Sequence, residues 1–214
     1  MKILNLYAGI GGNRKLWGDE HEITAVELNP SIAKIYQDFF PNDTVIVADA
    51  HQYLLDHYKE FDFIWSSPPC PSHSEIRRCG TYKGQYSAIY PDMALYQEII
   101  LLKYYAPKDS KWVVENVKPF YTALIDPSFI IDRHYFWSNY TVREPSFKSG
   151  RTHHNIKSGK SEVYGFYIGD YETSKRKDTI LRNMVDPKVG EYILNMATGA
   201  IPPIQEGLFE RNNK

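Results

Sequence analysis

Short apolar runs recur through the first half of the chain, at residues 3–7, 23–28, 44–48, 61–65 and 112–115. Between them lie segments with helical character, at 13–17, 31–39, 51–57 and 92–105. An apolar run without alternation suits a strand covered on both faces, and parallel neighbours need a helical crossover between them. The alternation therefore predicts an α/β chain with a Rossmann-like, doubly wound and mostly parallel sheet. Residues 135–137 and 141–142 suggest further strands. Ser31 stands where an N-cap would start the helix over 31–39. Residues 71–90 mix Pro, Gly, Ser, Arg and Tyr without a period and read as a mobile loop, and 146–175 as a second irregular region.

In an open sheet of this kind, ligands bind at the carboxyl ends of the strands. Each residue group with chemical potential falls at such an end. Gly9, Gly11 and Gly12 form a turn after the first run, where the lack of a Cβ lets the backbone approach a ligand. The turn lacks the Lys-Ser/Thr of a phosphate-binding loop and the spacing of the dinucleotide fingerprint. Glu27 ends the second run, where a carboxylate can accept hydrogen bonds from two ribose hydroxyls. Asp49 ends the third; it suits an adenine amino group or a helix N-cap equally well.

Cys70 follows Ser67-Pro68-Pro69 at the end of the fourth run, where two prolines restrict the backbone. A thiol held there can act as a nucleophile. Glu115-Asn116-Val117 ends the fifth run. The pair suits one reaction. Cytosine C5 is a poor nucleophile, but thiolate addition at C6 converts the ring to an enamine. Negative charge then builds toward N3 and O2, and a protonated carboxyl at N3 stabilises it.

Only two cysteines occur, Cys70 and Cys79, and no His/Cys cluster has metal-ligand spacing. Neither a metal site nor a disulfide framework is expected. No stretch approaches the ~18 apolar residues of a membrane span, so a cytoplasmic protein is expected. The net charge of −1 does not mark the whole chain as a polyanion binder. Residues 148–182, however, hold eight Lys and Arg against four acids, with Tyr164, Phe166, Tyr167 and Tyr171 among them. Arg151, Lys157, Lys160, Lys175 and Arg176 are the candidate nucleic-acid contacts of that region. Arg77, Arg78 and Lys83, after Cys70, are candidates to close over a substrate.

Taken together, these segments closely resemble the DNA cytosine-5 methyltransferase family. Tyr7-Ala8-Gly9-Ile10-Gly11-Gly12 is similar to the family's aromatic-Ala-Gly-x-Gly-Gly turn, which holds S-adenosylmethionine. Glu27, followed by Leu28, matches the ribose-binding acid, and Asp49, followed by Ala50, the acid near the adenine. Pro69-Cys70 matches the nucleophile motif and Glu115-Asn116-Val117 the Glu-Asn-Val motif. The resemblance implies an S-adenosylmethionine-dependent methyltransferase acting on DNA, with S-adenosylhomocysteine as product. Action on a duplex implies that the target base is flipped out of the stack.

The chain departs from the family at four points. After Cys70 it reads Pro71-Ser72-His73-Ser74; only Ser74 keeps the usual pattern, as a nucleic-acid contact. The Arg-x-Arg motif is reduced to Asp132-Arg133-His134, so Arg133 or His134 takes the second arginine's place. The closing Gly-Asn motif is represented only by Asn195-Met196-Ala197. The stretch after residue 140 is short for a full target-recognition domain. Such compact forms resemble phage or prophage methyltransferases. The expected organisation is a catalytic core over 1–145, a reduced recognition region over 146–182 and a C-terminal segment over 183–214 that returns to the core. An RNA methyltransferase on the same fold, a nucleic-acid-binding homologue without catalysis and an NAD-dependent Rossmann enzyme remain alternatives.

Overall fold

The computed structural model describes residues 1–145, 147 and 162–201. Its sheet is built from β1 (Lys2–Leu6), β2 (Glu22–Val26), β3 (Thr44–Ile46), β4 (Phe63–Ser66), β5 (Lys111–Val117), β6 (Phe129–Ile131) and β7 (His134–Ser138). The strands lie in the order β3-β2-β1-β4-β5-β7-β6. The first five are parallel, and β7 runs antiparallel between β5 and β6. The chain thus winds outward from β1 through β2 to β3, then returns to place β4 on the other side of β1. The order reverses between β1 and β4, and a crevice at the strand ends is expected there.

Alternation along the strands sorts the core into two layers. Ile3, Ile23, Phe63, Trp65 and Val113 face one side, where a 3-10 turn (Asn13–Leu16) and helix α6 (Pro187–Thr198) cover them. Helix α1 (Pro30–Phe39) covers Ala25 on the same side. Leu4, Leu6, Ile64, Trp112 and Val114 face the other side, beneath α2 (Ala50–His57) and α4 (Ala94–Tyr105). The sheet is covered on both faces, which is why its strands read as apolar runs without alternation. Two short strands, β8 (Glu162–Val163) and β9 (Phe166–Tyr167), pair separately, and helix α5 (Lys177–Arg182) follows them.

Three expectations need revision. The cap of α1 is Asn29, whose side chain accepts from the backbone N–H groups of Ser31 and Ile32; Pro30 then occupies the first helical turn, where its missing N–H costs nothing. Residues 71–90 contain a helix, α3 (Glu75–Tyr82), in place of an aperiodic loop. Gly80 is buried beside the Tyr86 ring, and an i,i+3 pair joins Glu75 to Arg78 at 2.5 Å. Residues 141–142 form no strand. Among the described residues, no helix is long and apolar enough to cross a membrane.

Candidate active site

The ends of β1, β2, β4 and β5 open into one cleft of about 1160 Å³. Its walls are built first by the glycine turn. Gly11 has φ +84°, and a Cβ there would stand 2.3 Å from the Phe40 ring. A Cβ on Gly12 would stand 2.1 Å from Met184 and 2.4 Å from the Val185 carbonyl. The turn is therefore clamped between α1 and the segment joining α5 to α6. Gly9 differs: its Cβ would meet nothing within 4 Å. The space above it belongs to the cleft, which Tyr7, Ala8, Ile10 and Gly12 also line.

Glu27 fixes the turn to the next strand end. One of its oxygens accepts from the Gly9 N–H at 3.0 Å and the other from the Asn29 N–H at 2.9 Å. Each carboxylate oxygen retains acceptor capacity toward the cleft. Asp49 caps α2 by accepting from the Gln52 N–H at 3.0 Å, so its two expected roles are compatible in one residue. Leu28 and Ala50 supply apolar wall beside them.

Across the switch point, the loop after β4 brings Pro69 and Cys70 to the same cleft. Asn116 holds that loop by donating its side-chain amide to the Pro68 carbonyl at 2.9 Å. Beyond Cys70, the His73 N–H donates to the Cys70 carbonyl, and the His73 carbonyl accepts from the Phe120 N–H, both at 3.0 Å. The His73 ring is buried, 2.6 Å from the Tyr121 hydroxyl through Nδ1, and burial lowers its pKa. The unusual Pro-Ser-His-Ser sequence thus packs as a turn pinned to the end of β5.

Glu115 and Arg133 meet Cys70 in this cleft. Arg133 sits with Asp132 in the two-residue turn between β6 and β7, Asp132 at φ +52°, a left-handed conformation that Asp tolerates better than most residues. His134 Nε2 lies 3.7 Å from a Glu115 oxygen. Burial raises the Cys70 pKa and the Glu115 charge adds to that, while the Arg133 charge opposes it. The thiol is therefore the favoured form at neutral pH.

The remaining candidates sort by location. Ser74, Arg77 and Arg78 stand at or within α3, and Lys83 follows it. Arg77 lies over the Tyr86 ring and Arg78 over those of Tyr82 and Phe120, so both cations are packed on aromatic faces. Lys175 lines the cleft, and Arg176 pairs with Asp178 at 3.1 Å. Arg151, Lys157 and Lys160 lie outside the described residues. Of the aromatics in the basic region, Phe166 is wholly buried between Phe39 and Phe40 and belongs to the core, not to a contact surface.

Some lining residues carry no sequence signal. The wall beside the glycine turn comes from Asn183, Met184, Val185 and Asp186. Asn195, the candidate for the closing motif, lies instead in a separate depression with Met1 and Trp17. This segment touches Gly12 with the Met184 side chain and the Val185 carbonyl, too few contacts to leave a pattern in the sequence. His51 lines the cleft over a fully buried Glu98, and that carboxylate was detectable as an acid on the buried stripe of Leu95, Ile99 and Leu102. Among the described residues, no group of three or more His, Cys, Asp and Glu side chains could hold a metal ion.

The profile of C-5 cytosine-specific DNA methylases matches residues 1–123. Curated proteins yield no match. Two solved structures are similar at low identity. A SAM-dependent methyltransferase from Agrobacterium tumefaciens is 12% identical with a TM-score of 0.42, over 56% of this chain and 40% of that one. A DNMT2 variant from Spodoptera frugiperda is 19% identical with a TM-score of 0.42, over 69% of this chain and 54% of that one. The chain therefore spans less than two thirds of either structure.

Proposed function

The chain belongs to the C-5 cytosine-specific DNA methylase family, and from that premise we propose that it methylates cytosine C5 in duplex DNA with Cys70 as nucleophile. The observation that carries the proposal is the meeting of Cys70, Glu115 and Arg133 in the cleft that also holds the glycine turn.

The cofactor of this methyltransferase is S-adenosylmethionine, and the cleft fits it. Open space stands above Gly9, Glu27 offers a carboxylate at the next strand end, and Asp49 and Ala50 follow at the third. Tyr7, Ala8, Gly9, Ile10, Glu27, Leu28, Asp49, Ala50 and Pro69 are the residues that would hold it. When bound, the cofactor supplies the electrophilic methyl group that C5 takes.

The chain's own residues do the rest. The Cys70 thiol gives its proton to water, and the thiolate adds to C6 of a flipped cytosine, forming a C–S bond as the C5–C6 double bond opens. Glu115, as the acid, gives a proton to N3 and disperses the charge that the addition creates; Arg133 faces the O2 side. Once C5 is methylated, its proton passes to water, N3 returns its proton to Glu115, and the C–S bond breaks as the C5–C6 double bond re-forms, freeing Cys70. Burial near Glu115 keeps the thiol protonated before substrate enters. The basic side chains on and after α3, with Lys175 and Arg176, are proposed as contacts to the phosphate backbone.

Transfer of tritiated methyl from S-adenosylmethionine to duplex DNA and to transfer RNA tests the substrate. Label on DNA at a rate at least about tenfold above RNA is expected. Label on RNA alone would move the activity to that substrate, and label on neither would remove the catalytic reading.

A further inference from the structure

We propose that Glu98 is a positioning residue that joins the two halves of the cleft: its buried carboxylate holds the glycine turn through Tyr7 and the base of the Cys70 loop through Ser66, with His51 as counter-charge. The inference rests on the reading of the cleft as a cofactor and nucleophile site.

Glu98 lies on α4 and is fully buried. A carboxylate removed from water persists only where its lone pairs and its charge are matched. One oxygen accepts from the Tyr7 hydroxyl at 2.6 Å and stands 2.9 Å from His51 Nδ1. The other accepts from the Ser66 hydroxyl at 2.5 Å. The three partners come from three segments: Tyr7 directly follows β1, Ser66 ends β4, and His51 lies in the first turn of α2. β1 and β4 are the neighbours between which the strand order reverses, so one side chain spans the switch point from below.

Each contact bears on a functional group. Tyr7 has φ +54°, a conformation that costs a non-glycine residue energy and must be held by its surroundings. The hydroxyl's hydrogen bond to Glu98 supplies such a hold at the entry to the glycine turn. Burial and the Glu98 charge raise the Tyr7 pKa, which keeps it a donor. Ser66 is followed by Ser67-Pro68-Pro69-Cys70, and the two prolines make that link stiff. A shift of Ser66 therefore reaches Cys70.

His51 supplies the positive charge. The groups acting on it are Glu98 from α4, Asp49 from the start of its own helix and Asp92 from the segment before α4. The Glu98 hydrogen bond is the largest of these influences, burial opposes it, and the net effect raises the His51 pKa above its ordinary 6.5. Folding thus gains from protonated His51 in full below the unfolded pKa of about 6.5. That gain disappears as pH rises through the higher folded value.

The test uses a Cys79→Ser background, in which Cys70 is the single thiol of the chain. S-adenosylhomocysteine affinity is measured by calorimetry and Cys70 alkylation by iodoacetamide without cofactor. Tyr7→Phe should weaken affinity about tenfold and leave alkylation unchanged. Ser66→Ala should change the alkylation rate and leave affinity unchanged. Glu98→Gln should alter both, and His51→Asn should flatten the fall in thermal midpoint above about pH 6.5. Folded Glu98→Gln protein with parental affinity and alkylation would overturn the proposal. If that variant does not fold, parental affinity in Tyr7→Phe together with parental alkylation in Ser66→Ala overturns it. Failure of the parental protein to bind S-adenosylhomocysteine would count against the reading of the cleft alone; the alkylation and pH measurements then decide the role of Glu98.

Discussion

At the residue scale, Cys70 is controlled by two neighbours of opposite charge. Burial raises its pKa, Glu115 raises it further, and Arg133 pulls it back. Removing the Glu115 charge should therefore have opposed effects on two reactions. In Glu115→Gln, alkylation of Cys70 by iodoacetamide at pH 7 should accelerate, because more thiolate is present. Methyl transfer by the same variant should fall by about 10²–10⁴, because N3 loses its proton donor. Arg133→Ala should slow alkylation. For the parental protein, the alkylation rate should climb about tenfold per pH unit until the thiol ionises. The same rate in all three proteins would show that the Cys70 environment is not what the cleft implies. Cys70, Glu115, Glu27 and Asp49 were legible in the sequence because each is a reactive or charged type at the end of an apolar run. Glu98 is visible in the sequence only as an acid on an apolar helix stripe; its pairing with His51 is not, since it spans forty-seven positions and only the fold brings it together.

At the element scale, the five parallel strands were legible because double burial makes them continuously apolar. Helix α3 was not, because Glu75-Ile76-Arg77-Arg78-Cys79-Gly80-Thr81-Tyr82 is polar and contains Gly and Thr, both weak helix formers. What the helix gains comes from local pairs that no hydrophobic period announces: Glu75 with Arg78, and the Arg78 guanidinium over Tyr82. The segment between α5 and α6 was hidden for a different reason, since it touches Gly12 with one side chain and one carbonyl. Its importance is testable through the glycine. Gly12→Ala sets a Cβ against Met184 and the Val185 carbonyl, and overpacking of this kind costs about 1–3 kcal/mol. A lower thermal midpoint and weaker S-adenosylhomocysteine binding are expected together. An unchanged midpoint would mean that the turn and the closing segment are not clamped.

At the scale of the whole molecule, the catalytic end depends on how α1 and the 3-10 turn are locked to each other. Arg14, in that turn, pairs with Asp43 at 2.9 Å, both side chains being almost wholly buried. The Tyr36 hydroxyl donates to Asp43 at 2.8 Å. Losing Asp43 leaves the buried guanidinium with only the exposed Asp19, at 3.4 Å, and breaking a buried pair costs about 3–5 kcal/mol. Asp43→Ala should therefore shift urea unfolding far more than Asp38→Ala, whose carboxylate pairs with Lys34 on the surface. Equal shifts would remove the buried pair from the account. The architecture was legible from the alternation of runs, and the place of the cleft followed from it, because ligands bind at the carboxyl ends of the strands in such a sheet. The basic stretch was the least legible part: its composition is plain, but Phe166 shows that an aromatic within such a stretch can belong to the core.

Methylation through Cys70 requires a covalent bond between its sulfur and a cytosine ring. It is tested most directly with duplex DNA carrying 5-fluorocytosine, where the fluorine prevents loss from C5 and arrests the enzyme as an adduct. The protein is incubated with this DNA and S-adenosylmethionine, digested, and the modified peptide located by mass spectrometry. An adduct is expected on the peptide bearing Cys70, absent from Cys70→Ser protein that still binds S-adenosylhomocysteine. An adduct on Cys79, or none on protein with bound cofactor, would contradict it.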